Sequence, residues 1–222
     1  MVKIITVERE YGSGAGTIAR ALAARLGWTL WDREITLEIA RRLKCDVGSV
    51  AQREEKLDPA YYRLVKTFMR GSYEESFSGG ARLELLDAES LSELFEHVVK
   101  DAAAKGDCVI VGRAAPWFLR ERDDTMSVFI YAPHEEKIRR LLALGKSRDE
   151  AEEQVERVDS ERAAFIKKYY GKTWPQRDLY DLMINSKCGN EAVIDLMLYK
   201  IAQLNAPPVL AGGKPEDGRL LE

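Results

Sequence analysis

Lys3 to Val7 (KIITV) is a short apolar, β-branched run that reads as a buried parallel strand. A glycine cluster follows almost at once: Gly12, Ser13, Gly14, Ala15, Gly16. Then Ile18, Ala19, Leu22, Ala23 and Leu26 recur at helical spacing, and Gly27 stops the helix. Strand, glycine turn and helix form the unit from which α/β folds are wound. The unit also leaves backbone N–H groups at a helix N-terminus, where an anion can approach closely.

The pattern repeats downstream. Trp28–Trp31 (WTLW) is a second short strand, and Asp32 caps a helix carrying Ile35, Ile39 and Leu43 on one face. The segment from 45 to 100 reads as helical and polar, with helix starts at Asp46 and Asp58-Pro59 and a flexible loop over Gly71–Gly80. A helix opens at Asp87 and ends near Gly106. Cys108–Val111 (CVIV) and Met126–Tyr131 (MSVFIY) are further strands. A helix spans His134–Leu144, and a long charged helix runs from Ser147 to about Tyr170. Asp181–Ile184 is the last strand, and Asn190 caps a final helix to Leu204. Alternation of this kind predicts a five-stranded parallel sheet in the order 2-3-1-4-5, with the Lys3–Val7 strand central and helices on both faces. Ligands then bind at the carboxyl rim, where the loops after Val7, Trp31, Val111 and Tyr131 meet.

Composition narrows the function. The 222 residues are 45% hydrophobic, enough for a sizeable core. The net charge of −3 is unlike the basic footprint of a nucleic-acid binder. The longest charge-free stretch, Ile201–Gly213, contains two prolines and is too short to span a bilayer. Charged residues Glu8, Arg9 and Glu10 follow the first apolar run directly, unlike a secretory signal, so a cytoplasmic location is expected. Cys45, Cys108 and Cys188 lie far apart, and His97 and His134 are the only histidines. That argues against a disulfide framework or a zinc site. The tail 205–222 is rich in Pro and Gly and is expected to be poorly ordered or an arm on a partner, which leaves a homodimer open.

Three features carry candidate chemistry. The first is the loop REYGSGAGT, Arg9–Thr17, with Gly12, Ser13, Gly14, Ala15, Gly16 and Thr17 as phosphate-binding candidates. The phosphate-loop pattern is GxxxxGK[ST]. Aligned on Gly16, this chain has Tyr11 for the first Gly, Thr17 for the Lys and Ile18 for the Ser/Thr. A plain tight turn fits the same glycines. The second feature is Arg33 and Arg113, each just past a strand and reaching the same rim. Arginine binds phosphate oxygens bidentately, although a single arginine also fits a surface ion pair. The third is Arg157, Asp159 and Arg162 on the long charged helix. They fit a lid that brings basic groups over transferring phosphates, and equally an ordinary ion pair on a solvated helix. Trp117, Trp174 and the Tyr169-Tyr170 pair read as packing or hinge residues, and Cys108 and Met126 as core.

ITVEREYGSGAGTIARALAARLG, WDREI, CVIVGRAA, VFIYAPHEEKIRRL, VDSERAAFIKKYYGKTW and YDLMINS occur in that order over roughly residues 3 to 200. In these stretches the chain resembles the cytidylate kinase-like family of nucleoside-monophosphate kinases. The resemblance implies one phosphate-loop kinase domain over 1–204. Its core would be 1–31, 88–145 and 176–204, with an acceptor-binding helical region at 32–87 and a lid at 146–175. It implies ATP and Mg²⁺ as cofactors, CMP or dCMP as acceptor, and phosphoryl transfer as the reaction. Gly12 through Thr17 would hold the ATP phosphates, and Thr17 and Asp32 the metal. Asp32, Arg33, Arg113, Asp159 and Arg162 would face the acceptor. Arg9, Arg113, Arg157 and Arg162 would neutralise charge during transfer. Glu38 stands where ordinary cytidylate kinases have an acceptor-site arginine, and Arg33 would substitute for it. The missing loop lysine keeps two other readings open: a nucleotide-binding regulatory module, and a kinase for another small phosphoryl acceptor.

Overall fold

The computed structural model describes residues 1–42 and 88–207. The expected helix starts at Asp46, Asp58 and Asp87, the loop 71–80 and the tail beyond 207 lie outside the described residues. The strands are β1 (Ile4–Arg9), β2 (Thr29–Trp31), β3 (Cys108–Val111), β4 (Thr125–Tyr131) and β5 (Leu182–Asn185). The helices are α1 (Ala15–Leu26), α2 (Arg33–Arg42), α3 (Ala88–Ala104), α4 (Ala115–Phe118), α5 (His134–Ala143), α6 (Arg148–Tyr170) and α7 (Asn190–Asn205). Short 3₁₀ turns, unforeseen in the sequence, flank β5 at Arg177–Leu179 and Ser186–Cys188.

All described pairings are parallel, in the order β2-β3-β1-β4-β5. Ile4 faces Cys108 on one side and Thr125 on the other, so β1 is the central strand as expected. Side chains alternate between two cores. Ile4, Cys108 and Ile110 join Phe95, Val98, Val99 and Phe165 under α2, α3 and α6. Ile5, Val7, Val109, Val111, Val128 and Ile130 join α1 and α7 through Ile18, Leu22, Val193 and Met197. Each such fully buried aliphatic contributes about 1.5–3 kcal/mol. The buried hydroxyls of Thr6 and Ser127 satisfy each other: Thr6 Oγ1 donates to Ser127 Oγ at 2.9 Å.

Two departures from the sequence reading shape the rim. β1 continues through Glu8 and Arg9, so Arg9 is a buried strand residue in register with Ile130 and not part of the loop. A charged pair reads as the end of an apolar strand, yet here Arg9 Nη1 lies 3.4 Å from Glu8 Oε1 and both side chains are buried. The charged helix α6 is also no solvated rod. Ser147 and Glu150 form a capping box at its start, and Gly171 ends it in the left-handed conformation. Its Ala151, Val155, Val158, Arg162, Phe165 and Ile166 are buried at spacings of three and four along one face. The first three pack with Ile138 and Leu141 of α5 and with Tyr11 of the glycine loop.

Candidate active site

The glycine loop leaves β1 and turns back through two left-handed residues, Gly12 (φ 74°) and Gly14 (φ 78°). A side chain is strained at either position. Gly14 caps α1, whose first residue is Ala15. In a phosphate loop the lysine directly follows the last loop glycine and opens the helix. The helix start therefore favours alignment on Gly14 over Gly16. The lysine position then holds Ala15, which is buried, rather than Thr17. Gly16 and Thr17 lie in the first turn of α1, with Thr17 exposed.

Beside the loop, three guanidiniums gather at the carboxyl ends of β1 and β3. Gly112, Arg113 and Ala114 follow β3 with φ of 68°, 59° and 54°. Two of these are non-glycine residues in a sparsely populated region, at a cost of about 1–3 kcal/mol each. The tight left-handed run aims Arg113 inward, where it is 2% exposed. Gly112 is required by its neighbour: a Cβ there would sit 1.9 Å from Arg9 Nη1. Arg162 reaches in from α6, and its Nη1 donates to the Arg9 carbonyl at 3.0 Å and to Asp159 Oδ1 at 3.1 Å. Arg9, Arg113 and Arg162 line one pocket with Glu8, Ile166 and Trp174. It has room for about a single water. Burial, and then Arg9, push the Arg113 pKa down to about 9, while Asp32 and Glu8 oppose the shift. The same two causes lower Arg162 to about 10. The cluster is a positive site under electrostatic stress, which a bound anion would relieve.

Asp159 is bonded to the glycine loop. Its Oδ1 accepts the Tyr11 backbone N–H at 2.8 Å, which ties α6 to the glycine loop. Burial raises the Asp159 pKa, against the pull of Arg162, the Tyr11 N–H and Lys137. Tyr11 adds a second tie, its hydroxyl donating to Gln154 Oε1 at 2.6 Å. Asp32 is buried at the head of α2, within electrostatic reach of Arg113. Arg33 is exposed in the first turn of α2. Arg157 stands apart from the cluster: its partners are Glu153 and Glu161, each at 3.5 Å on its own helix. Glu38 forms an ion pair with Arg41 at 2.7 Å and with Arg42 at 2.8 Å.

The sequence reading placed α5 but missed its basic residues at the loop. Lys137 lies along the loop, and its ammonium is 2.6 Å from Glu10 Oε2 and 3.5 Å from Asp159 Oδ2. Arg140 donates to the Ser13 carbonyl and, at 2.8 Å, to Ser186 Oγ. Ser186 Oγ donates to the same Ser13 carbonyl at 2.7 Å. The available signal was the spacing of Lys137 and Arg140, one turn apart on the helix that leaves the rim after β4. The aromatics do pack: Tyr170 meets Phe118 edge-on at 5.5 Å, and Trp174 meets Phe129 at 5.6 Å.

Solved structures share this architecture. An uncharacterized protein from Eubacterium ventriosum aligns with a TM-score of 0.64 at 21% identity, covering 91% of this chain and 99% of that one. Shikimate kinase from Acinetobacter baumannii, in complex with shikimate, aligns with a TM-score of 0.51 at 18% identity, covering 93% and 97%. Shikimate kinase from Bacteroides thetaiotaomicron gives 0.51 at 18%, covering 90% and 98%. These likenesses show a phosphate-loop kinase fold. No curated protein matches the sequence. A family model does, from residue 4 to residue 188, and by that match the chain belongs to the cytidylate kinase-like family.

Proposed function

We propose that the protein transfers the γ-phosphoryl group of ATP to a nucleoside monophosphate, CMP or dCMP, giving the diphosphate. The observation that carries this reading is the convergence of Arg9, Arg113 and Arg162 on one buried pocket beside the glycine loop. Phosphoryl transfer asks a protein for positioning and charge neutralisation more than for a covalent catalyst. A site of glycines, arginines and carboxylates fits that demand. The α1 N-terminus and the loop N–H groups would receive the ATP phosphates. Arg113 and Arg162 would grip the acceptor phosphate, whose nearly two charges offset the mutual repulsion of the guanidiniums. Asp159, bonded to both the loop and Arg162, would hold α6 over the reacting groups and keep water out.

Mg²⁺ fits the residues present. Among the described residues no group of three or more His, Cys, Asp or Glu could hold a metal. Mg²⁺ in kinases takes one or two protein oxygens, with phosphate and water completing its shell. With the loop aligned on Gly14 its Ser/Thr position holds Gly16, so Thr17, one residue on in the exposed first turn of α1, would supply one, and Asp32 a second directly or through water. When bound, the ion would offset charge on the β- and γ-phosphates.

One observation favours a second reading. Ala15 in the lysine position removes a charge that most phosphate loops bring to the β/γ bridge, as in a module that holds a nucleotide without turning it over. A panel of nucleoside monophosphates with Mg-ATP, with shikimate as a further acceptor, separates the readings. Diphosphate from CMP or dCMP supports the proposal. Turnover of another acceptor alone moves the assignment, and ATP binding with no product from any acceptor supports the module.

A further inference from the structure

We infer that Lys137, on the helix after β4, supplies the donor-phosphate cation that the glycine loop itself lacks. The inference rests on the kinase reading, and it names the residue that makes an Ala15 loop workable. Three observations carry it. The lysine position of the loop is occupied by a buried alanine, so no cation rises from within the loop. Lys137 instead flanks the loop from outside. A Cβ on Gly12 would lie 3.0 Å from Lys137 Cβ and 3.3 Å from its Cα. Gly12 thus lets the α5 backbone press against the turn, and a larger residue there would push Lys137 away. Finally, Lys137 is a buried residue, 8% exposed, and its ammonium is held between two carboxylates, Glu10 and Asp159.

That arrangement stores a lysine charge at the edge of the loop. Asp159 is already committed to the Tyr11 N–H and to Arg162. Its contact to Lys137 is the longer of the two, so Glu10 is the principal resting partner. A flexible four-carbon stem anchored beside Gly12 can turn its ammonium from Glu10 to an entering polyphosphate. Arg140, one turn further on, stays bound to the Ser13 carbonyl and Ser186 and keeps α5 in place while Lys137 moves.

The test is ATP and CMP titration by calorimetry on the full chain, with Lys137→Met, Lys137→Arg and the double variant Lys137→Met/Glu10→Gln. Methionine keeps the stem and drops the charge. The double variant also removes the carboxylate that Lys137 would otherwise neutralise. Its melting temperature then reports any structural role separately from binding. The inference expects ATP affinity to fall about tenfold or more in Lys137→Met. It expects the loss to persist in the double variant even as the melting temperature recovers, to be regained in part by Lys137→Arg, and to spare CMP affinity. ATP affinity within threefold of wild type in either methionine variant overturns it. So does recovery of ATP affinity together with stability in the double variant, because Lys137 would then only balance Glu10. A wild-type protein that binds no ATP would instead sink the kinase reading itself.

Discussion

At the scale of single residues, Arg113 concentrates the argument. A strained left-handed run fixes its backbone, and Gly112 keeps Arg9 alongside it. A planar fork in this place can bind two phosphate oxygens at once, whereas lysine offers a point charge. Arg113→Lys should therefore keep the fold and ATP binding while raising KM for the monophosphate and lowering kcat. The loss should be about 1.5–3 kcal/mol, or ten- to a hundredfold in kcat/KM, read from acceptor titrations at saturating ATP. If Arg113 only braces Asp32, the melting temperature falls and acceptor kinetics stay as they were. The sequence disclosed this residue because Gly-Arg after a buried strand is visible as text. It offered Arg9 too, but as part of the loop, since a charged residue looks like the end of a strand. Only the contacts with Glu8 and with Gly112 show why the strand continues.

At the scale of elements, α2 and α6 make separable predictions. Glu38 accepts hydrogen bonds from Arg41 and Arg42, and these hold its pKa down at about 2. A folded pKa below the ordinary value of 4.5 gives stability that is present above that value and lost as pH falls toward 2. The carboxylate is partly exposed, so the contribution should be near that of a surface pair, about 1 kcal/mol or less. Glu38→Gln should lower the melting temperature at pH 7, and by progressively less as the pH falls toward 2.

Arg162 belongs to the opposite regime. It is 6% exposed and bonds both the Arg9 carbonyl and Asp159, which rules out a solvated ion pair. Arg162→Ala leaves Asp159 with less compensation and should cost about 3–5 kcal/mol in chemical denaturation. In the remaining folded protein, kcat should fall further than ATP affinity, because α6 no longer places charge against the transfer. Equal losses in both would show that Arg162 only supports the fold. The elements themselves were largely legible. Short apolar runs placed the five strands, and helical spacing placed the described helices other than α4, to within a few positions. Their order was expected from strand–helix alternation and from the glycine loop after the first strand. What periodicity could not reveal was the buried polar side of α6. Asp159 and Arg162 look like an ordinary i,i+3 pair until the partner surface, the glycine loop, is known.

At the scale of the molecule, the described site is shut. The arginine pocket has room for about one water, and a phosphate monoester has several times as many heavy atoms. Three contacts close it from the α6 side: Asp159 to the Tyr11 N–H, Arg162 to the Arg9 carbonyl, and Lys137 to Asp159. The first two join α6 to the carboxyl end of β1 and its loop and the third joins α6 to α5, so lifting α6 breaks the Asp159 and Arg162 contacts together. An acceptor must then wait for this opening before it binds. In rapid mixing, the observed rate constant for CMP binding should rise with concentration and reach a plateau set by the opening step. Asp159→Asn keeps an acceptor for the Tyr11 N–H but removes the charge attraction to Lys137 and Arg162. Weakening the clasp by roughly 1–2 kcal/mol should raise the plateau about five- to thirtyfold. A rate that climbs linearly through the millimolar range in the wild-type protein would show that the acceptor enters without α6 moving. A plateau that Asp159→Asn leaves in place would put the gate elsewhere than at the contacts between α6 and the glycine loop.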